Sequence, residues 1–373
     1  MTESFYRRAL SFTNARLWKL VHIDILLIGS LLLLIGGGLF VLYSASGQNI
    51  AMVDRQVFRL IVGMCVCLSL AQLPPKYMRR ASPTLFLFLV ILLVCVLLFG
   101  VGAKGAQRWL SLPGGLRFQP SEIMKIVMPM MVAWYFSNRP LPPTFKEIVT
   151  VLGIIILPVL MIAKQPDLGT SLLVAVSGVF VLFLAGLGWR YILSATALAP
   201  IAGYVLWQVM HDYQRQRVLT FLNPESDPLG SGWNIIQSKT AIGSGGVYGK
   251  GWLEGTQAQL DFLPESHTDF IIAVLAEEFG MLGCGLLIFA YLLVIARGLY
   301  IATNAEDNYA RLLAGSLTLT FFVYMFVNIG MVSGILPVVG VPLPLISYGG
   351  TSIITIMATF GILMSIQTHK RAI

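Results

Sequence analysis

Charged residues are scarce in this sequence of 373 residues, because Asp, Glu, Lys and Arg together make up only 11% of it. An average soluble domain carries about a quarter, so this chain lacks the side chains that would keep a folded surface in water. Hydrophobic residues make up 57%, and apolar stretches long enough to cross about 30 Å of hydrocarbon as helices recur along the chain. We therefore predict an all-α polytopic membrane protein, folded as a single transmembrane domain over residues 1–373.

Cysteine and histidine are also rare, with four of each. All four cysteines lie in apolar stretches, and Cys65 and Cys67 would point to different sides of a helix, so no disulfide framework or zinc site is predicted. No Ser/His/Asp or Cys/His set is discernible. The Gly-rich run AIGSGGVYGKGW fails the phosphate-loop pattern, since Ser244 replaces the first Gly and Gly251 replaces the final Ser or Thr. Its glycines would make tight turns or let backbone amides approach a ligand closely.

Ten apolar stretches are predicted to cross the membrane, and the fourth of them is short. They cover residues 24–43, 57–73, 83–100, 122–136, 147–163, 168–187, 191–210, 269–296, 312–333 and 351–367.

The distribution of Lys and Arg predicts the orientation of these spans. An even number of spans places both termini on one side, together with the basic arm 1–20, the loop PPKYMRR and the tail THKRAI. Lys and Arg concentrated in short segments mark the cytoplasm. The other side then holds the loops 44–56, 101–121 and 164–167, a large loop 211–268 between spans seven and eight, and a Gly/Pro-rich loop 334–350. Function is expected on this external side.

The external loops carry more cations than topology alone would favour. As a group they indicate an anionic partner at the outer membrane surface, although each one singly could equally form a local salt bridge. The candidates are Arg55, Lys104, Arg108, Arg117, Arg215, Arg217 and Lys239.

Two Gln-Pro segments place ionisable residues at the start of apolar spans. In RFQPSEIMK, Ser121 is predicted to cap the helix, and Glu122 and Lys125 are three apart on one face. A lysine in an apolar span needs a partner or a water-filled cavity, so the pair is either structural or lines a cavity. In AKQPDLGTS, Asp167 is predicted to cap the next helix and could also touch a ligand.

The stretch FLPESHTDFIIAVLAEEFG ends the large external loop. Asp269 stands where its apolar run begins, so it could cap the helix, pair with a buried charge or act as a base. Glu277 and Glu278 are predicted to be buried and paired, with Lys125 as a candidate partner. Further along, GILPVVGVPLPLISYGGTS contains too many prolines for a regular helix, which predicts a re-entrant or surface-lying loop.

Taken together, these motifs resemble the SEDS (shape, elongation, division, sporulation) family over essentially the whole chain. The carrying segments are KGAQRWLSLPGGLRFQPSEIMK, QPDLGTS, the stretch 211–280 and NIGMVSGILPVVGVPLPLISYGGTS, and they look most like the elongation member. The resemblance implies ten transmembrane helices in the bacterial inner membrane. It also implies a peptidoglycan glycosyltransferase that polymerises lipid II at the outer face during elongation and rod-shape maintenance. In this family an aspartate after His-Thr is essential, here Asp269, and Glu122 and Lys125 also matter.

The resemblance further implies partners: a class B penicillin-binding transpeptidase, MreC and MreD of the rod complex, and membrane lipids, with no nucleic acid. We hypothesise that Asp269 is the general base and that the external cations, with Lys125 and with a possible divalent cation (Mg or Mn), stabilise the pyrophosphate leaving group. Two other classes stay open. The chain could be a lipid II flippase, or a non-catalytic scaffold for its transpeptidase.

Overall fold

The computed structural model of the chain describes residues 22–103, 106–111, 117–210, 212–226, 231–260, 262–263 and 265–369. Most of these residues are helical. In chain order the elements are α1 (Ile25–Ala45), α2 (Ile50–Ala71), α3 (Pro75–Phe99), β1 (Val101–Ala103), β2 (Ala106–Ser111), β3 (Arg117–Phe118), α4 (Pro120–Phe136), α5 (Phe145–Lys164), α6 (Leu168–Leu184), α7 (Trp189–Val209), α8 (Asp212–Leu222), a 3-10 turn (Pro224–Ser226), α9 (Ser231–Gly245), α10 (Thr256–Gln259), α11 (Ile271–Thr303), α12 (Asn308–Val332) and α13 (Thr351–Thr368).

Each predicted span coincides with one helix, namely α1 to α7 and α11 to α13. Within the described ranges, six of these helices (α1, α3, α5, α11, α12 and α13) are long and apolar enough to cross a membrane, and α6 is apolar but shorter. The count of ten spans stays a prediction.

The all-α prediction was incomplete in the first long external loop. There β2 pairs antiparallel with both β1 and β3, which makes a small three-stranded sheet. The large loop 211–268 is also more ordered than the word loop suggests, because it contains α8, α9 and α10.

Contacts between the helix ends divide the bundle into two ends. At one end, the rings of His22 and His369 stack with centroids 3.8 Å apart, so the first and last described residues meet. At the other end, Ser266 Oγ donates to Ala45 O at 2.9 Å, which brings the segment before α11 to the end of α1. We call this second end the site end. The basic arm 1–20 lies outside the described residues.

Side-chain caps start several of the long helices. Asp167 Oδ1 accepts from Thr170 N at 3.3 Å, which confirms its predicted role as the cap of α6. The prediction that Ser121 caps a helix was wrong, and of the three alternatives for Asp269 the helix cap is excluded. Pro120 occupies the first position of α4, where its fixed φ suits a helix, so the cap is Gln119 and Ser121 lies inside. At α11 the cap position is Phe270, because a turn occupies the residues before it.

The Gly/Pro-rich loop between α12 and α13 has no regular helix, and its middle part, residues 341–347, is largely buried inside the bundle. Leu343, Leu345 and Ile346 are each at most 2% exposed. Tyr291 in α11 donates its hydroxyl to Pro344 O at 2.5 Å, and Tyr291 lies twelve residues, or about 18 Å, from the far end of that helix. The loop therefore descends from the site end toward the middle of the bundle.

Candidate functional site

Asp269 lines a cavity of about 210 Å³ at the site end. It lies outside regular helix, in a turn where Thr268 N donates to Glu265 O at 3.0 Å and where Glu265 has a left-handed φ of 58°. Gly340 faces the carboxylate, and a Cβ there would lie in ordinary van der Waals contact with Asp269 Oδ2, at 3.5 Å. The cavity is lined by α8, α9, the turn and the Gly/Pro-rich loop, through Thr220, Asn234, Ile235, Glu265, Asp269, Phe270, Val338 and Gly340.

Glu122 and Lys125 form the predicted ion pair in the first turns of α4. Lys125 Nζ donates to Glu122 Oε1 at 2.7 Å, and both residues are less than 10% exposed. Thr355 in α13 donates to Glu122 Oε2 at 3.1 Å. The Lys125 ammonium also lies 5.1 Å from the centroid of the Tyr324 ring in α12, which is within cation–π range. The pair is thus held from three helices.

Asp167 is held by a second polar network. Gln119 Nε2 donates to Asp167 Oδ2 at 3.0 Å, and Arg108 Nη1 lies 3.8 Å from Asp167 Oδ1. Arg108 Nη2 also donates to the main-chain oxygen of Pro166. Asp167 is 7% exposed, whereas the Arg108 side chain is 35% exposed, so the arginine reaches this aspartate from the more open side.

The Glu122–Lys125 pair and the Asp269 turn both contact the last turns of α12. Tyr324, which lies against Lys125, and Asn328, which donates to Asp269 O at 2.9 Å, are four residues apart and share one face of that helix. Such neighbours are about 6 Å apart at Cβ. On the other side, Gly169 in α6 approaches the loop so closely that a Cβ there would lie 2.9 Å from Val339 O. The segments that carry the predicted carboxylates therefore contact one helix, α12, or the loop that follows it.

Arg55 belongs to a neighbouring cluster around Tyr348. Arg55 Nε donates to the Tyr348 hydroxyl at 3.3 Å, and the Arg59 guanidinium lies 4.6 Å from the ring centroid. Partial burial acts to raise the pKa of Tyr348, but the hydrogen bonds and positive charges of the two arginines outweigh it and hold the pKa below its usual value. Tyr348 N donates to His267 O at 2.8 Å, so the cluster joins the segment that carries Asp269.

No predicted cation whose side chain the structure describes lines the Asp269 cavity. Arg215 donates to Trp207 O and Gln208 O at 3.0 and 2.8 Å, which holds α8 against the end of α7. Lys239 is exposed on α9 and lies over Gly334 at the start of the Gly/Pro-rich loop. Lys104 and the side chains of Arg117 and Arg217 lie outside the described residues.

The predicted pairing of Glu277 and Glu278 with Lys125 was wrong. Glu277 is fully buried, and its Oε1 accepts from Lys250 Nζ at 2.7 Å and from Thr256 N at 2.8 Å. Glu278 accepts from Ser44 Oγ and from Leu253 N. Both glutamates therefore anchor the segment between α9 and α10. This segment fits into a break of α11 at Gly280, where φ is 64° and Met281 N donates to Gly246 O at 3.0 Å.

Several residues of the site were missed from the sequence. Arg59, Gln119, Asn328 and Ser347 are polar residues in or next to apolar stretches, and an intramembrane polar residue is by default a candidate. Gln119 stood inside a motif that was already singled out. Gln119, Asn328 and Ser347 are uncharged and lower the local hydropathy less than a charged residue does, which is why the sequence did not single them out.

Fold and site together define a polytopic helical membrane protein with ionisable residues gathered at one end of its bundle. The model of the cell cycle protein family of FtsW, RodA and SpoVE matches residues 23–372. Peptidoglycan glycosyltransferase MrdB of Escherichia coli (strain K12) is 55% identical over 355 residues, covering 95% of this chain and 96% of that protein. A probable peptidoglycan glycosyltransferase FtsW of Trichlorobacter lovleyi is 38% identical over 367 residues, covering 94% of each.

Solved structures agree. A chain of a peptidoglycan synthase complex that coordinates polymerization and crosslinking superposes with a TM-score of 0.81 at 30% identity, covering 92% of this chain and 97% of its own. The rod shape determining protein RodA of Thermus thermophilus gives a TM-score of 0.70 at 26% identity, covering 92% and 96%. The chain belongs to the FtsW, RodA and SpoVE family, the SEDS family that its motifs resemble. Its higher identity to MrdB than to FtsW confirms the expected likeness to the elongation member.

Proposed function

We propose that this chain is a peptidoglycan glycosyltransferase that polymerises lipid II into β-1,4 glycan strands, with Asp269 as its general base. One observation supports the proposal: Asp269 lies outside regular helix in a cavity at the site end. Its main chain contacts Asn328, one helical turn along α12 from Tyr324, which contacts Lys125 of the buried Glu122–Lys125 pair. A helix cap would have tied this carboxylate to the start of α11, and Phe270 occupies that position instead.

The chemistry requires one base and several cations. The 4-hydroxyl of the acceptor GlcNAc loses its proton to the Asp269 carboxylate and attacks the anomeric carbon of the donor MurNAc. The bond to undecaprenyl pyrophosphate breaks with inversion, and the pyrophosphate leaves with the electron pair. A glycosidase needs a second carboxylic acid to protonate an alcohol leaving group, but pyrophosphate needs charge stabilisation instead. General-base assistance contributes about 10²–10⁴-fold.

Lys125, Arg108 and Arg55 are the described cations that the structure supports for stabilising pyrophosphate. Lys125 contacts Tyr324 of α12, Arg108 contacts Asp167, and Arg55 contacts Tyr348 beside the Asp269 segment. Among the residues that the structure describes, no three His, Cys, Asp or Glu side chains are placed to hold a metal ion. The described residues therefore do not make a protein-only site for Mg or Mn, and no step is assigned to a divalent cation.

An apolar groove of about 510 Å³ is proposed to take a polyprenyl tail. It runs between α2, α3, α4 and α13, with Gln119, Glu122 and Thr355 near one end and Leu73 and Tyr77 near the other. The polar end coincides with the ion pair, so a tail in the groove would leave its pyrophosphate close to Lys125.

The orientation and the partners follow from the same proposal. Ten spans with both termini in the cytoplasm place the site end at the outer face, where lipid II is consumed. The meeting of His22 and His369 supports termini on one side. A class B penicillin-binding transpeptidase is the proposed partner, with MreC and MreD in the same assembly. The likeness to a chain of a complex that coordinates polymerization and crosslinking supports a crosslinking partner.

The test compares Asp269→Asn with Glu254→Gln in purified protein given lipid II and a transpeptidase-inactive partner. Glu254 is an exposed carboxylate in the segment between α9 and α10, so it controls for loss of one negative charge on the same side. We expect glycan strands from the wild type and from Glu254→Gln, and a loss of about 10²-fold or more for Asp269→Asn at an unchanged melting temperature. Full polymer yield from Asp269→Asn would refute the assignment of the base.

The same assay separates the rival classes. A flippase would move lipid II across vesicle membranes and form no glycan strands. A scaffold would form none either, and Asp269→Asn would change nothing. Neither rival explains why the ionisable residues of α4 and the Asp269 turn converge at one end of the bundle.

A further inference from the structure

The backbone around Asp269 is held in an unusual way. Three consecutive carbonyls, those of His267, Thr268 and Asp269, each accept a hydrogen bond from the end of α12 or from the loop that follows it. Tyr348 N donates to His267 O at 2.8 Å, Ser347 Oγ donates to Thr268 O at 2.5 Å, and Asn328 Nδ2 donates to Asp269 O at 2.9 Å. Irregular backbone has no partners of its own, so buried carbonyls in a turn require donors from elsewhere.

Asn328 is the residue that connects this turn to the loop under the carboxylate. Its side-chain amide also donates to Val341 O at 2.8 Å, and the adjacent Gly340 is the residue that faces Asp269 Oδ2. Both N–H groups of one amide are thus used to fix Asp269 relative to Gly340. Asn328 is fully buried, and its Oδ1 accepts no hydrogen bond from the described residues. Burying an unsatisfied oxygen is unfavourable, and such local costs are typical of functional sites.

The loop is in turn fixed to α2. Gln56 Nε2 donates to Ser347 O at 3.0 Å and its Oε1 accepts from Gly349 N at 3.3 Å, while Arg59 Nη1 donates to Gly349 O at 3.0 Å. Ser347 Oγ also accepts from Leu343 N at 2.9 Å. The donors that hold the turn are therefore anchored to a long helix and do not belong to a loose surface loop.

We infer that Asn328, supported by Ser347, is a positioning residue that holds the Asp269 carboxylate in its reactive place. We call Asn328 and Ser347 together the clamp. The inference rests on the proposed function, since it assigns the clamp a role in proton transfer by Asp269. Asn328 touches neither the carboxylate nor the reacting sugars in this role, because its bonds go to the main chain. Its loss should therefore change turnover and leave lipid II binding nearly as it was.

The experiment measures kcat and KM for lipid II in Asn328→Ala, Asn328→Ser and Ser347→Ala. Misplacing a catalytic group by about 1 Å costs on the order of 100-fold in rate, so we expect kcat of Asn328→Ala to fall by up to that factor. KM should stay within about threefold, because ground-state binding is untouched. Asn328→Ser keeps one hydrogen-bond donor on a shorter side chain. Ser347→Ala removes the bonds to Thr268 O and from Leu343 N but leaves both bonds of Asn328. We therefore expect a smaller fall of kcat in both variants than in Asn328→Ala.

Ser316→Ala is the matched control for Ser347→Ala. Ser316 is also fully buried, and its Oγ donates to Ser177 O at 2.6 Å from a position twelve residues before Asn328 on α12, about 18 Å away. We expect both serine variants to lower the melting temperature similarly, and only Ser347→Ala to lower kcat.

Equal kcat in Ser347→Ala and Ser316→Ala, or a rise in KM at unchanged kcat, would overturn the inference. If Asn328→Ala does not fold, the two serine variants and Asn328→Ser decide by the same criteria. The proposed function fails separately: it is refuted when Asp269→Asn stays active. A dead Asp269→Asn beside fully active clamp variants removes only the positioning role.

Discussion

The Glu122–Lys125 pair offers a test that separates a structural role from a functional one. We predict that Lys125→Met and Glu122→Gln each destabilise the fold strongly, and that the double variant recovers most of this loss. At an effective dielectric constant of about 20, two unit charges 2.7 Å apart attract each other by roughly 6 kcal/mol. Desolvation offsets part of this, so removal of one partner from a buried pair costs about 3–5 kcal/mol.

The surroundings explain why the single variants should suffer. In Lys125→Met, Glu122 stays buried and keeps only the bond from Thr355 at 3.1 Å. In Glu122→Gln, the ammonium keeps the Tyr324 ring but loses its only described carboxylate contact within 4 Å. In the double variant no buried charge is left, so the two losses should not add, with a coupling of about 2 kcal/mol or more.

The assay combines thermal unfolding in detergent with polymerisation of lipid II. A functional pair predicts that the double variant melts close to the wild type and yet forms no glycan strands. Recovery of both stability and polymer yield in the double variant would show that the pair is structural. Strictly additive destabilisation would contradict the buried geometry itself.

Three further predictions rest on single contacts. Gly38→Ala should lower stability by about 1–3 kcal/mol and reduce polymer yield, because its Cβ would lie 2.7 Å from Leu345 O. Gly37→Ala is the control, since a Cβ there meets no atom within 4 Å, and it should change neither the thermal melt nor the polymer yield. Tyr348, whose pKa is lowered, should lose its proton at a lower pH than an exposed tyrosine, and Arg55→Gln should move its tyrosinate absorbance titration upward. Burial and the charge of His369 lower the pKa of His22 in the folded protein. Below about pH 6.5 the unfolded chain therefore binds a proton that the folded protein does not, and the free energy of unfolding should decrease as the pH falls. His22→Phe should weaken that dependence in melting curves taken on both sides of this pH.

The long helices could be predicted because their signal is local. Each apolar stretch contains its own reason to be helical, and so α1 to α7 and α11 to α13 all fall where hydropathy placed them. The ends were less certain because they depend on turn geometry. Asp167 caps a helix as expected, whereas Asp269 does not, since the residues before α11 form a turn with Glu265 in a left-handed conformation.

Partners could not be predicted, because pairing is decided by tertiary contacts. Burial requires a partner for Glu277, and the sequence shows this requirement without showing which cation meets it. Lys250 lies 27 residues away and reaches Glu277 only because the segment before α10 fits into the helix break at Gly280. The small sheet after α3 was also missed. Its strands are too short to carry a sequence pattern of their own, and their pairing depends on tertiary contacts.

Two sets of polar residues inside this bundle differ in what their side chains bind. Gln56, Tyr291 and Asn328 direct their described hydrogen bonds to the main chain of the buried Gly/Pro-rich loop or the Asp269 turn. Irregular backbone inside a membrane protein requires such donors, so these residues make the shape of the site possible. Glu122 and Lys125 bind other side chains instead, and no irregular segment depends on their described contacts. Because backbone satisfaction does not explain the charges of the second group, the Glu122–Lys125 double variant is the test of whether those charges serve the reaction or only the fold.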